Sequence, residues 1–220
     1  SANIIVSKRT KPISSLPEMM KGSQPTDGGN LLLSEIEKEK LIQSCPNVKK
    51  LIKPFVGTKE FIDSEKKYCL WINEGEEKIY SNCEEINTRL EAVTIMRLNS
   101  SKAATNKLAN VPFKFGEIRY FNKEVIIVPT ITSERRQYFP CGILDSEHIV
   151  SNTAQAIYDF PIYTFGVLSS RMMVVWVKAV GGKFENRYIF SSSICYNNFP
   201  FPDITTRQKE NLNQYVFDIL

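Results

Sequence analysis

Residues 124–131, Glu-Val-Ile-Ile-Val-Pro-Thr-Ile, are nearly continuously apolar and short, the pattern of a strand buried inside a sheet. Directly after it come Thr-Ser-Glu-Arg-Arg-Gln-Tyr-Phe-Pro, residues 132–140. A buried strand that runs straight into Glu134, Arg135 and Arg136 must deliver three charges to one edge of its fold. An active site, a ligand clamp and a solvated turn are the three readings of that edge. Tyr138 and Phe139 read as the return of the chain to the core.

The rest of the chain alternates short helices with short strands. An entry rich in Pro, Ser and Gly turns sharply at Asp27-Gly28-Gly29. Ser34 with Glu37 three residues on is a capping box for a helix reaching about residue 44, and Pro46 opens a second short helix. Lys67 to Ile72 reads as a buried strand. Asn82 caps a helix with an apolar stripe of Ile86, Leu90, Val93 and Met96, and a short helix follows over 102–108. Residues 117–121 and 124–128 read as a hairpin turning at Asn122-Lys123. Two strands flank the polar Ser-Asn-Thr-Ala-Gln at 151–155. Residues 169–180 read as a helix stopped by Gly181-Gly182, 187–191 as a strand, and Thr205 with Gln208 as the capping box of a C-terminal helix. The fold class is α+β (mixed α/β), with short strands, flanking helices and a C-terminal helix. The domain reading is a tag scar and linker over 1–11, one domain over 12–202, and the helix over 203–220. Ser1-Ala2-Asn3 resembles a cloning scar, so the chain is expected to be cut from a longer protein.

Charge is unevenly spread. Residues 97–140 carry 8 basic and 3 acidic side chains, whereas residues 61–96 carry 4 and 8. A basic block of that size suits a polyanion such as nucleic acid, or a solvated face balanced in three dimensions. The 5 cysteines are odd in number and widely spaced, which argues against a disulfide framework and against zinc, and for a reducing, cytoplasmic setting. No apolar run approaches the roughly 20 residues of a membrane span.

Catalytic constellations are scarce. His148 is the single histidine and has no recognisable nucleophile motif near it. There is no Walker loop and no G-x-G-x-x-G opening a helix after a strand. That scarcity favours a binding module. Arginine reads guanine, Asn and Gln read adenine, and Asp or Glu accepts from cytosine, while Lys, Ser and Thr anchor phosphates. Three stretches have this content: residues 99–107 (NSSKAATNK, with Ser101 and Lys102), 130–136 (TITSERR) and 183–188 (KFENRY). Each also has a plain reading, as a helix start, a salt-bridged turn and a hairpin.

In order along the chain, GSQPTDGGNLLL, GTKEFI, YCLWI, KAATNKLA, VPTITSERRQYFP, FGVLSSRMMVVWVKAVGG and YNNFPFP together resemble the target-recognition region of MmeI-like enzymes. The resemblance runs from about Pro12 to Pro202. Such enzymes join an endonuclease, an adenine-N6 methyltransferase and a DNA-reading domain in one chain. The resemblance implies that the Asn-Pro-Pro-Tyr motif and the S-adenosylmethionine loop belong to an upstream part of the parent, with no cofactor in this fragment. It implies double-stranded DNA and the parent's own methyltransferase domain as partners, and no membrane. Glu185 and Arg187 fall on a specificity pair of the family, and Asn152, Thr153, Thr130 and Ile189 on variable base-contact positions. Relatives often carry arginine at the position of Thr130, and Cys-Gly-Arg-Leu where this chain has Gly181-Gly182-Lys183-Phe184. Arg135, Arg136, Ser101 and Lys102 complete the expected DNA-binding set. The competing readings are a protein-interaction or assembly domain without base contacts, and an enzyme using His148 or Cys141.

Overall fold

The computed structural model describes residues 6–220, so the expected scar at Ser1-Ala2-Asn3 lies outside the described residues. The chain forms two compact units. One takes residues up to Lys21 together with Phe121–Ser146 and Thr153–Leu220; the other takes Gly22–Tyr120 and Glu147–Asn152.

The first unit is built on an antiparallel sheet in the order Met20–Lys21, Ala154–Tyr158, Val125–Pro129, Gly142–Leu144. All five residues of Val125–Pro129 and all five of Ala154–Tyr158 are buried. Val125–Pro129 shows no polar alternation because both its faces are covered, and Gln155 is a buried polar residue in its partner. Ile126, Val128 and Ile157 join Phe165, Leu168, Met173 and Val177 of two helices, Tyr163–Leu168 and Arg171–Val180, in one core. Ser170 caps the second of these by accepting from Met173 N at 3.2 Å, a contact worth about 1 kcal/mol. Thr205 and Gln208 form the expected capping box on Thr206–Phe217, whose Val216 enters the same core.

The second unit has a sheet in the order Leu32–Ser34, Lys67–Leu70, Ile52–Val56, Ile149–Val150, the last pair parallel. The Ser34 capping box opens Glu35–Ser44 as read from the sequence, with Ser34 N donating to Glu37 Oε2 at 2.8 Å. The Asp27 turn is also present: Gly28 and Gly29 have φ of 66° and 91°, and Asp27 Oδ2 accepts from Leu31 N at 2.5 Å. Gly22 is required for close approach, since a Cβ there would sit 2.3 Å from the Val150 carbonyl oxygen.

Four expectations are corrected. The 117–128 hairpin does not form: Val125–Pro129 pairs instead with Ala154–Tyr158 and Gly142–Leu144, while Glu117 makes an isolated bridge to Gln24. Long-range pairing of a fully apolar strand outweighs a weak local turn signal. Helix Glu84–Leu98 is entered through Cys83, not Asn82, and the inward position after Val93 is Arg97, not Met96. Tyr138 is exposed, so Phe139 alone returns to the core. Cys45 and Cys83, 38 residues apart, are joined in a disulfide with Cα atoms 6.0 Å apart. The end of the first long helix and the start of the next bring together two cysteines that spacing alone does not pair.

Candidate nucleic-acid interface

Pro129 ends the central strand because it has no N–H to extend the ladder. One residue later the chain enters a different sheet. There Ile131–Ser133 pairs with Arg187–Ile189, which forms a hairpin with Gly182–Phe184. Two stretches singled out separately in the sequence, 130–136 and 183–188, are thus neighbours in one three-stranded sheet.

The register sorts their side chains. Lys183, Tyr188 and Thr132 lie across from one another on one face. Thr132 is buried and Tyr188 packs against the core of the unit. The ammonium groups of Lys183 and Lys178 stand 5.2 and 5.8 Å from the Tyr188 ring centroid, so both cations brace this inner face. Phe184, Arg187 and Ser133 form the opposite row, and all three are exposed. Ile131 and Ile189 share that outer face nearer the core and are half-buried.

Glu185 and Asn186 make the two-residue tip. Glu185 has φ of 52°, in the left-handed region that a first hairpin-loop position usually gives to glycine. A carboxylate is kept there at some conformational cost. Its Oε2 lies 3.7 Å from Arg187 Nη2, with both side chains more than half exposed. An ion pair this open contributes about 0–1 kcal/mol to stability and stays available to other partners.

The Ser133 turn completes the cluster. Arg135 N donates to Ser133 Oγ and Arg136 N to Ser133 O, each at 3.3 Å. Arg135 and Arg136 are exposed beside the hairpin. Among the described residues the Glu134 carboxylate pairs with neither, and Glu134 acts through its backbone, donating to Asn186 O at 3.3 Å. That bond ties the Ser-Glu-Arg-Arg turn to the hairpin tip. Thr130 sits at the foot of the sheet, its carbonyl accepting from Phe190 N at 2.8 Å.

The structure therefore brings together Glu185, Arg187, Arg135 and Arg136, with Thr130 at their base. Thr153 is exposed in the same unit. Ser101, Lys102 and Asn152 belong to the other unit. Asn152 is half-buried, donating through its backbone to Ser23 O at 3.0 Å. Ser101 and Lys102 are exposed just before helix Ala103–Lys107. Their loop is fixed by Asn106 Nδ2, which donates to the carbonyls of Arg97, Leu98 and Ser100 at 2.7, 3.0 and 2.9 Å.

Sequence reasoning missed Arg97. It is fully buried on helix Glu84–Leu98, and its guanidinium donates to the carbonyls of Pro25, Thr26, Leu108, Val111 and Lys114 at 2.6–3.1 Å. Burial lowers its pKa and Asp27 opposes that shift. A cation among apolar neighbours at helical spacing was the available signal.

Burial pushes the Cys141 thiol up to about 12 and raises Cys69 and Cys195 as well, so these sulfurs are poor nucleophiles at neutral pH. Among the described residues no group of three or more His, Cys, Asp or Glu is placed to hold a metal ion, and no helix is long and apolar enough to cross a membrane.

An α+β domain whose charged side chains gather on an exposed hairpin and an adjoining turn is, in class, a recognition module. The chain belongs to the MmeI target recognition domain family, whose profile matches residues 1–203. It is 42% identical over 219 residues to DNA methyltransferase A of Bacillus subtilis (strain 168), covering 99% of this chain and 25% of that protein. The structure of the type IIL restriction-modification enzyme MmeI in complex with DNA matches with a TM-score of 0.94 at 35% identity, over 99% of this chain and 29% of that one. The type IIG restriction endonuclease BpuSI, 13% identical with a TM-score of 0.53 over 93% of this chain and 25% of that one, shares the fold. The chain thus spans about a quarter of the length of these relatives.

Proposed function

We propose that this chain reads a specific sequence in double-stranded DNA for a longer bacterial, cytoplasmic restriction–modification protein, presenting a target adenine to an S-adenosylmethionine-dependent N6-methyltransferase domain of the same parent. The observation that carries this reading is the Glu185–Asn186 hairpin tip, with Glu185 and Arg187 exposed beside Arg135 and Arg136. The solved relative in complex with DNA and the curated methyltransferase relative support it. S-adenosylmethionine is assigned to the parent's catalytic part, and none of this chain's residues is assigned to it.

The chemistry follows from donor and acceptor pattern. A two-stranded ribbon fits the major groove of B-DNA. Glu185 accepts from cytosine N4, and Arg187 donates to O6 and N7 of the paired guanine, a contact worth about 1–3 kcal/mol against the wrong base. Arg135, Arg136, Ser101 and Lys102 contact phosphates and set the register. Asn152 and Thr153 are assigned to base edges, and Thr130, whose hydroxyl is buried, supports the sheet from its foot.

The test is the parent's methylation motif, mapped genome-wide before and after exchange of the pair by Glu185→Arg with Arg187→Glu. The expected result is altered recognition at one base pair with the remaining positions intact. Unchanged recognition at every base would sink the assignment of this pair.

A further inference from the structure

We infer that Phe184 is a specificity residue that reads the C5 methyl of a thymine in the major groove. The inference rests on the DNA-reading function proposed above and adds a residue to it.

Phe184 is 54% exposed on the edge strand Gly182–Phe184 of the three-stranded sheet. Its Cα partner across the hairpin is Arg187, whose own partner on the third strand is Ser133. The period of two along each strand puts these three side chains in one row on the outer face. Tyr188 and Thr132 occupy the inner face, so the ring is not a core residue displaced outward. Nothing within the hairpin needs an aromatic at this place. The neighbouring inner-face position holds Lys183, and the ion pair at the tip is formed by Glu185 and Arg187.

The surroundings select the occupant. Arg187 on this row and Arg135 and Arg136 in the adjoining exposed turn outnumber the carboxylates of Glu185 and Glu134, a net positive charge that suits a polyanion and disfavours an apolar protein patch. Thymine's C5 methyl is the apolar group that a B-DNA major groove presents, and phenylalanine is one of the side chains that contacts it. Cross-strand neighbours sit about 5 Å apart, against a rise of about 3.4 Å per base pair. The thymine therefore lies one or two steps from the pair read by Arg187.

The experiment uses the full-length parent and its mapped recognition duplex. Each thymine in the site is replaced singly by deoxyuridine, which removes the methyl and leaves the pairing unchanged. Dissociation constants are measured for wild type, Phe184→Ala, Phe184→Leu and Arg187→Ala. At one thymine within two base pairs of the position relaxed by Arg187→Ala, deoxyuridine weakens wild-type binding about fourfold, the transfer of one methyl group. In Phe184→Ala the thymine and deoxyuridine duplexes bind equally at that position, and Phe184→Leu restores part of the difference. Discrimination that persists in Phe184→Ala, or a site with no methyl-sensitive thymine in that window, overturns the inference. If Arg187→Ala relaxes a base while Phe184→Ala changes nothing, this inference alone fails. If neither variant alters any base preference, the DNA-reading assignment of the hairpin fails with it.

Discussion

Replacing Arg97 by methionine keeps the length and apolar stem of the side chain and removes its charge and five donors. In the native protein those donors satisfy carbonyls of Pro25 and Thr26 on one segment and of Leu108, Val111 and Lys114 on another. A hydrogen bond to a charged group contributes a net ~1.5–3 kcal/mol, but five such terms do not add. Some of the orphaned carbonyls turn to water once the loops relax. Removing one side of a buried charged network typically costs ~3–5 kcal/mol, and that is the expected loss here. Each unit holds one tryptophan, Trp71 in the core built around Leu31, Ile86 and Val93, and Trp176 against the other core. Urea unfolding of a Trp176→Phe background, followed by Trp71 fluorescence, isolates the affected unit. Arg97→Met should lower the unfolding free energy by ~3–5 kcal/mol, and Arg97→Lys, with three donors, by less. A change below about 1 kcal/mol would refute the reasoning, because the five carbonyls would then be no worse off without the cation.

Three further outcomes are expected. Arg135→Ala with Arg136→Ala in the full-length parent should flatten the dependence of log Kd on log salt by up to about 1.8, two phosphate contacts at ~0.9 each, and an unchanged slope in anisotropy titrations removes both from the phosphate set. The disulfide between Cys45 and Cys83 closes a loop across 38 residues, so reductant should lower unfolding stability by about 2–4 kcal/mol in wild type and not in Cys83→Ser; equal stability with and without reductant would show that the cross-link does not constrain the chain. Glu37 is held at about 2, down from 4.5, chiefly by the Ser34 backbone N–H, then by the Ser34 hydroxyl and Arg89. A depressed carboxylate contributes stability above pH 4.5 that is lost as pH falls toward 2, so the melting-temperature gap between wild type and Glu37→Gln should close across that window. A gap that is constant with pH would assign the effect to packing.

Local signals in this chain were legible where they were self-contained. The Ser34–Glu37 and Thr205–Gln208 boxes and the Gly28-Gly29 turn each depend on residues within four positions, and each forms as read. Apart from the helix cap, read one residue early at Asn82, the main failures are nonlocal. Asn122-Lys123 has a passable turn composition, but Val125–Pro129 finds two long-range partners that bury it on both faces. Met96 and Arg97 are adjacent on a helix, and periodicity placed the apolar one inward. The structure chose the cation because backbone carbonyls of residues 25–26 and 108–114, remote in sequence, converge on that point.

The candidate interface divides along the same line. Residue types at 130–136 and 183–188 announced charge and donors, yet each stretch alone was equally a turn or a hairpin. Their joint meaning comes from the pairing of Ile131–Ser133 with Arg187–Ile189, a contact spanning more than fifty residues. Once that register exists, period-two alternation decides which side chains face out, and it separates Phe184 and Arg187 from Lys183 and Tyr188. Lys183 resembles a DNA contact by composition but leans over the Tyr188 ring, whereas Phe184 resembles core and stands on the cationic outer row. The hairpin is only two residues at its tip and Arg187–Ile189 is held in register by Ile131–Ser133, so one inserted or deleted residue at the tip would exchange the rows of the edge strand and carry Phe184 to the inner face. Specificity can therefore be altered by substitution in this sheet far more readily than by changes in its length.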